Sequence, residues 1–320
     1  MKKKFAIILG EPNSINSEII SKSWKKIPKI IKKNIFFIGN FDILKKQLSI
    51  LNLSIPIFKI HSLNNLKTNT LNILDINIKF KDPFKVNLKE SSRYIFNCIN
   101  CAHNLSISGK ISGFINCAID KKRLFNKKNI GLTEYLAKKN NLNNSEVMMI
   151  HNNHLSVVPI TTHVSINKVS ELLNKNLIER KIKTLNKDFK KLFKRKPKIV
   201  VLGLNPHNAE LRSGSEERKI IMPAIDKLKK HRININGPYP SDTIFSNKKK
   251  YKYDVIVGMY HDQVLAPFKA MYEYNAINIT LGLKYIRVSP DHGVAKDMIF
   301  KNKANPASLI EAIKFFSKLP

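Results

Sequence analysis

Three histidines occupy comparable places in the chain. His163 follows Val157-Val158-Pro159-Ile160-Thr161-Thr162, His207 follows Val200-Val201-Leu202-Gly203-Leu204-Asn205-Pro206, and His261 follows Val255-Ile256-Val257-Gly258-Met259-Tyr260. Each apolar run reads as a buried strand, so each imidazole is delivered just past a strand's carboxyl end. Neutral imidazole is a common ligand for zinc and similar ions, and three protein ligands leave positions open for a substrate. Taken singly, each histidine is more often a satisfied core or turn residue than a ligand; the repeated placement is what favours a metal. His61, His103 and His231 lack it.

Carboxylates and cations gather near the third histidine in sequence. Asp262 directly follows His261, and Asp242 lies in Gly237-Pro238-Tyr239-Pro240-Ser241-Asp242-Thr243. A carboxylate beside a metal can orient a ligand imidazole or accept a proton; Asp242 reads equally well as a turn or helix-cap residue. Lys269, Asn278 and Arg287 suit a phosphate or carboxylate. Cys98 and Cys101 form a C-x-x-C, but no second pair exists and the surrounding 91–107 reads as a helix, so a shared helix face is expected rather than redox or zinc chemistry.

The elements that must position these groups follow from periodicity. Strands are expected at 5–9, 35–38, 113–118, 155–160, 199–204, 254–259 and 276–280, with helices such as 166–192 and Ala307–Lys318 between them. Alternating strands and helices imply an α/β fold with a largely parallel sheet, and ligands of such sheets bind beyond the carboxyl ends of the strands. The length of 320 residues suits two domains. No apolar run approaches the roughly 18 residues of a membrane span. The N-terminal stretch stops at Gly10-Glu11-Pro12, too short for a signal peptide, so a cytoplasmic protein is expected. The odd cysteine count argues against a disulfide framework.

A net charge of +34 admits a nucleic-acid binder. The lysines are scattered, however, and accompany abundant Asn and Ile, the pattern of a genome drifting to AT-rich codons. Runs such as Lys190–Lys196 carry a single aromatic, Phe193, and not the interleaved series of a base-stacking surface. No nucleic-acid partner is therefore expected, and 187–198 is read as a solvated helix end.

Six ordered motifs complete the picture: Thr161-Thr162-His163, Gly203-Leu204-Asn205-Pro206-His207, Gly237-Pro238 to Asp242-Thr243, Met259-Tyr260-His261-Asp262-Gln263, Asn278-Ile279-Thr280-Leu281-Gly282-Leu283 and Asp291-His292-Gly293. From Gly10 to the last helix, the chain closely resembles the 4-hydroxythreonine-4-phosphate dehydrogenase family of pyridoxal phosphate synthesis. The resemblance implies two α/β/α subdomains with a cleft between them, similar to isocitrate and isopropylmalate dehydrogenases, spanning 1–127 plus 290–320 and 128–289. It implies a homodimer with shared sites, in which His163, His207 and His261 bind one divalent metal per subunit (zinc, or magnesium or cobalt), one of them coming from the partner. It places Leu132, Thr133, Lys269, Asn278 and Arg287 at substrate-binding positions, and Asp242 and Asp262 beside the site. His292, Gly293, Ala295, Asp297 and Asn305 match the loop for the adenine side of NAD or NADP, and Lys121 matches a lysine usual in the family.

The implied reaction is oxidation of 4-phosphohydroxy-L-threonine to a 3-oxo acid that decarboxylates. Alternatives are a dehydrogenase of a related four-carbon sugar-acid phosphate, a decayed homologue or a basic nucleic-acid-binding protein. Departures bear on that choice. Gly131-Leu132-Thr133-Glu134 stands where the family has Gly-His-Thr-Glu, and leucine cannot donate a hydrogen bond. Gly10-Glu11-Pro12-Asn13-Ser14-Ile15-Asn16 stands for Gly-Glu-Pro-Ala-Gly-Ile-Gly, so two positions lose glycine's backbone freedom. The loop after His207 is likewise glycine-poor and one residue shorter.

Overall fold

The computed structural model describes residues 4–120, 124, 131–142, 144–246, 252–273 and 275–319. The chain divides into two compact units, one of residues 1–131, 274–277 and 284–320, the other of 132–273 and 278–283.

In the first unit the strands β1 (Phe5–Ile8), β2 (Ile35–Gly39), β3 (Ile57–Ile60), β4 (Leu71–Asp75) and β5 (Gly113–Asn116), with the late strand β12 (Ile286–Pro290), lie in the order β3-β4-β2-β1-β5-β12. All of these pairings are parallel, with Ile7 opposite Phe37 and Ile115, and Val288 opposite Ile115. β1, β2 and β5 are buried along their whole length and apolar apart from Asn116 at the end of β5, as expected of strands covered on both faces. Helices pack on them through aromatic contacts: Trp24 meets Phe37 edge-on at 5.6 Å, and Phe316 of the last helix stacks on Phe5 at 4.8 Å. Asn40 and Asn87 each cap a helix by accepting a backbone N–H three residues on.

The second unit orders β11 (Ile277–Leu281), β6 (Val147–His151), β7 (Ser156–Pro159), β10 (Val255–Gly258), β8 (Ile199–Leu202) and β9 (Ile235–Tyr239) as β11-β6-β7-β10-β8-β9. β7, β10, β8 and β9 run parallel, and β6 turns back antiparallel on β7. The ends of β7, β8 and β10 therefore point the same way, which is how the three histidines come to be presented on one edge.

Two expectations are corrected here. The helix foreseen over 166–192 is broken: a 3-10 turn Ile166–Lys168 leads to Val169–Leu172, Leu173 is extended, and Asn174 caps a new helix, Lys175–Phe193. The lysine-rich stretch 187–198 is only in part a helix end, because Lys194 closes the helix in the left-handed conformation (φ 57°) and strand β8 begins soon after. The C-x-x-C does share one helix, Leu88–Ile107; its thiols are free, and burial pushes both up, so neither is a ready thiolate. Among the described residues no helix is long and apolar enough to cross a membrane.

Candidate active site

The β7 and β10 ends bring two of the histidines together. Pairing continues past both strands, with Ile160 N–H donating to the Gly258 carbonyl (2.8 Å) and Thr161 N–H to that of Met259 (3.1 Å). The Thr161 hydroxyl donates to the same Met259 carbonyl at 2.7 Å. Both chains then turn outward, His163 through a left-handed φ of 49° and His261 into the first turn of the helix His261–Tyr272. Their ring centroids lie 5.8 Å apart, in an open hollow shared with Thr161, Val164, Tyr260 and Asp262.

Each ring has a carboxylate toward Nδ1. Asp262 Oδ1 is 2.6 Å from His261 Nδ1, and Glu134 Oε1 is 3.8 Å from His163 Nδ1. The first is a hydrogen bond through Nδ1 that leaves Nε2 as the ring nitrogen available to a ligand, the arrangement of a metal-ligating imidazole. Asp262 thus orients His261. Asp242 is the first-turn acid of the short helix Ser241–Ser246, where its Oδ1 accepts the Thr243 N–H at 2.8 Å.

His207 stands on a separate arm. Residues 207–211 all have φ between 49° and 55°, a left-handed turn that non-glycine residues seldom form consecutively. The turn is held from below. Glu217, with no exposed surface, accepts the N–H groups of Leu204 and Asn205 on Oε1, both at 2.8 Å, and the Asn205 amide on Oε2 at 3.1 Å. Asn208 donates to the Pro238 carbonyl. Gly203 is needed here because a Cβ would lie 2.2 Å from Asn208 Oδ1. His207 itself is exposed. Among the described residues no three His, Cys, Asp or Glu side chains form a metal-holding group. One chain thus assembles His163 and His261 and leaves His207 apart. The donor chemistry of the assembled pair still fits a divalent ion: two neighbouring imidazoles, each with a carboxylate toward the nitrogen away from a ligand.

The substrate-binding expectations divide between the units. Leu132 begins the helix Leu132–Lys139 and is buried, with Thr133 partly exposed beside it. Lys269 is in the last turn of the His261–Tyr272 helix, and Asn278 on β11 has a buried carbonyl oxygen with no hydrogen-bond partner. Arg287, on β12 of the first unit, is 3% exposed and donates Nε to Asn116 Oδ1 at 2.7 Å.

The cofactor-loop residues also lie in the first unit. His292 directs Nδ1 to the Gly293 carbonyl at 3.0 Å while its buried Nε2 has no partner; burial lowers its pKa and keeps it neutral. Ala295 is left-handed (φ 42°), Asp297 sits in the turn Lys296–Met298, and Asn305 accepts the Ala307 N–H. Lys296 reaches Asp120 at 3.1 Å. Lys121 lies outside the described residues.

The glycine-depleted first loop is held by hydrogen bonds within itself and to Val86 and Ala118, although the Asn16 Oδ1 is buried without a partner. Neither Ser14 nor Asn16 has a positive φ, so this backbone does not demand glycine there. The Ser14 hydroxyl donates to the Glu11 carbonyl, Asn16 donates to that of Ala118 at 2.9 Å, and Asn13 exchanges two hydrogen bonds of 2.8 Å with Val86.

Sequence reasoning missed the role of polar residues behind these loops: the buried Glu217, Gln263 and Glu18, and their half-buried partners Asn205 and Lys22. Glu18 accepts the Ala304 N–H at 2.8 Å and pairs with Lys22, which also donates to the Asn302 carbonyl. A charged residue on the buried face of an amphipathic helix, as Glu18 is, was the available signal.

A family model described as pyridoxal phosphate biosynthetic protein PdxA matches residues 31–316. A 4-hydroxythreonine-4-phosphate dehydrogenase of Sulfurihydrogenibium sp. is 36% identical, over 97% of this chain and 96% of its own. A D-threonate 4-phosphate dehydrogenase of Pectobacterium atrosepticum is 29% identical over 100% of both. The crystal structure of a 4-hydroxythreonine-4-phosphate dehydrogenase from Klebsiella pneumoniae is similar with a TM-score of 0.86, at 29% identity and 99% coverage of each chain.

Proposed function

Because the chain belongs to the PdxA family of pyridoxal phosphate biosynthetic proteins, we propose that it is a cytoplasmic, homodimeric dehydrogenase of 4-phosphohydroxy-L-threonine that uses NAD or NADP and a divalent metal. The observation that carries this reading is the pairing of His163 with His261 at the ends of β7 and β10, each beside a carboxylate. These two imidazoles hold the metal together with a His207, which a second copy of the chain supplies. A cation bound there would supply stabilisation of negative charge on the substrate hydroxyl oxygen, and a nicotinamide would supply the hydride acceptor.

The chain's own residues do the rest. Asp262 orients the His261 ring through Nδ1. Asp242 or Asp262 takes the hydroxyl proton. Thr133, Lys269, Asn278 and Arg287 bind the phosphate and carboxylate ends, so the reacting carbon is oriented before chemistry. His292, Gly293, Ala295, Asp297 and Asn305 receive the adenine side of the cofactor. The 3-oxo acid product then loses carbon dioxide.

Leu132 favours a second reading. A buried leucine offers no hydrogen bond where the family carries histidine, and a relative at 29% identity is a D-threonate 4-phosphate dehydrogenase. A four-carbon sugar-acid phosphate would then be the substrate. The metal assignment is tested by mass-spectrometric metal content of His163→Ala, His207→Ala and His261→Ala: loss of metal is expected, and retention of one ion per subunit in all three overturns it.

A further inference from the structure

Gln263 occupies a junction that none of the roles above uses. It stands in the first turn of the His261–Tyr272 helix and is buried. Its side chain folds back so that Oε1 accepts the Met259 N–H at 2.7 Å, while Nε2 donates to the Gly203 carbonyl at 2.7 Å. β10 and β8 are paired as far as Val257 opposite Val201. Beyond that point the strands part, and the Gln263 carboxamide fills the gap, acting as one peptide unit inserted between them. It satisfies a donor and an acceptor that would otherwise be buried unpaired.

The other side of the same residue is held as well. Met259's carbonyl accepts both the Thr161 N–H and the Thr161 hydroxyl. Both backbone polar groups of Met259 are therefore fixed by residues from neighbouring elements, two positions before His261. Thr161 stands two positions before His163, and Gly203 four before His207. Gly258 makes room for this: a Cβ there would lie 2.8 Å from Gln263 Oε1 and 2.5 Å from Val264 Cγ1.

We infer that Gln263, together with the Thr161 hydroxyl, is a positioning device that sets the spacing of His163 and His261 and ties the His207 arm to it. This rests on the reading that these imidazoles hold a divalent cation. Partners that orient metal ligands typically change affinity about 10–100-fold when lost.

The test is titration of metal-stripped, full-length protein with Co²⁺ alone, followed by the visible absorption of bound cobalt and by calorimetry. Gln263→Met keeps length and apolar bulk but loses both hydrogen bonds; it should bind Co²⁺ about 10–100-fold more weakly with an altered cobalt spectrum. Gln47→Met is the control. Gln47 is also buried and donates to the Pro12 and Pro83 carbonyls at 2.8 and 2.7 Å, in the first unit. It should lose stability with Co²⁺ affinity unchanged. Thr161→Val, nearly isosteric, should weaken Co²⁺ in the same direction by less, and decides the matter if Gln263→Met does not fold. Wild-type affinity and spectrum in folded Gln263→Met, or in Thr161→Val where Gln263→Met is unfolded, overturn the inference while leaving the metal site intact. Absence of Co²⁺ binding by the wild-type protein instead removes the metal reading, and the inference with it.

Discussion

Glu217→Ala removes the support beneath the turn that carries His207. Glu217 is fully buried, and its Oε1 accepts two backbone N–H groups at 2.8 Å, from Leu204 and Asn205. The Asn205 amide keeps a second acceptor, Glu216 Oε2 at 2.9 Å, so truncation orphans chiefly the two backbone donors. An unsatisfied buried donor costs about 1–3 kcal/mol, giving a gross loss of about 2–6 kcal/mol. Release of a desolvated carboxylate offsets part of this, leaving an expected destabilisation of about 2–4 kcal/mol. That is a large share of a typical stability of about 5–15 kcal/mol, so the variant should fold but unfold at lower urea. Glu217→Gln keeps one oxygen for both backbone donors but loses charge assistance and turns an NH2 toward the Asn205 amide, for about 1–2 kcal/mol. The assay is urea unfolding by circular dichroism, with catalytic rate measured in parallel. The rate should drop more than the fold suffers, because the left-handed turn at 207–211 loses its anchor. An alanine cost below about 1 kcal/mol, or equal costs for alanine and glutamine, would refute the reasoning.

Other expectations follow from the same geometry. Leu132→His should raise kcat/KM on 4-phosphohydroxy-L-threonine by a few-fold to about a hundredfold if that is the native substrate, while burial of the ring costs about 2 kcal/mol of stability; a fall in efficiency, with D-threonate 4-phosphate oxidised well by the natural chain, would assign leucine to the other substrate. Burial lowers the pKa of His151 from 6.5 to about 4, with the Arg195 charge adding to it. The unfolded chain therefore takes up this proton first, so stability present above about pH 6.5 should decline toward pH 4, by up to about 3 kcal/mol. His151→Gln, assayed by urea midpoint at neutral and acidic pH, should lose less on acidification than the natural chain; an equal loss would exclude His151 as the cause. Mixing inactive His207→Ala with inactive His163→Ala should restore part of the activity if one site draws on two copies, whereas a monomeric mass in solution contradicts it.

Much of the fold was legible because β1, β2, β5, β7, β8 and β10 are predominantly apolar and buried throughout. Five strands among the described residues escaped notice, β3, β4, β6, β9 and β12; β4 and β6 are short but largely apolar, whereas the other three are misleading in sequence. β9 contains Gly237-Pro238, which reads as a turn, and a Cβ at Gly237 would lie 2.4 Å from the Val201 carbonyl oxygen. β12 buries Arg287, whose charge is tolerated through Asn116, a partner 171 residues away. β3 is half-exposed and short. The histidines were legible as strand-end residues, but their grouping was not: spacing treats the three alike, whereas the left-handed turn after Asn205 sets His207 apart. The residues behind the site were hidden for one physical reason. Glu217, Gln263 and Glu18 earn their burial through partners distant in the chain, and only the folded backbone supplies those partners.

The most direct measurement is formation of reduced nicotinamide by purified protein given 4-phosphohydroxy-L-threonine, with NAD and NADP in turn, before and after metal removal. The account predicts turnover that is lost on chelation, restored by a divalent ion, and absent in His163→Ala and His261→Ala. Turnover that persists after complete metal removal, or that is undiminished in both histidine variants, would contradict it.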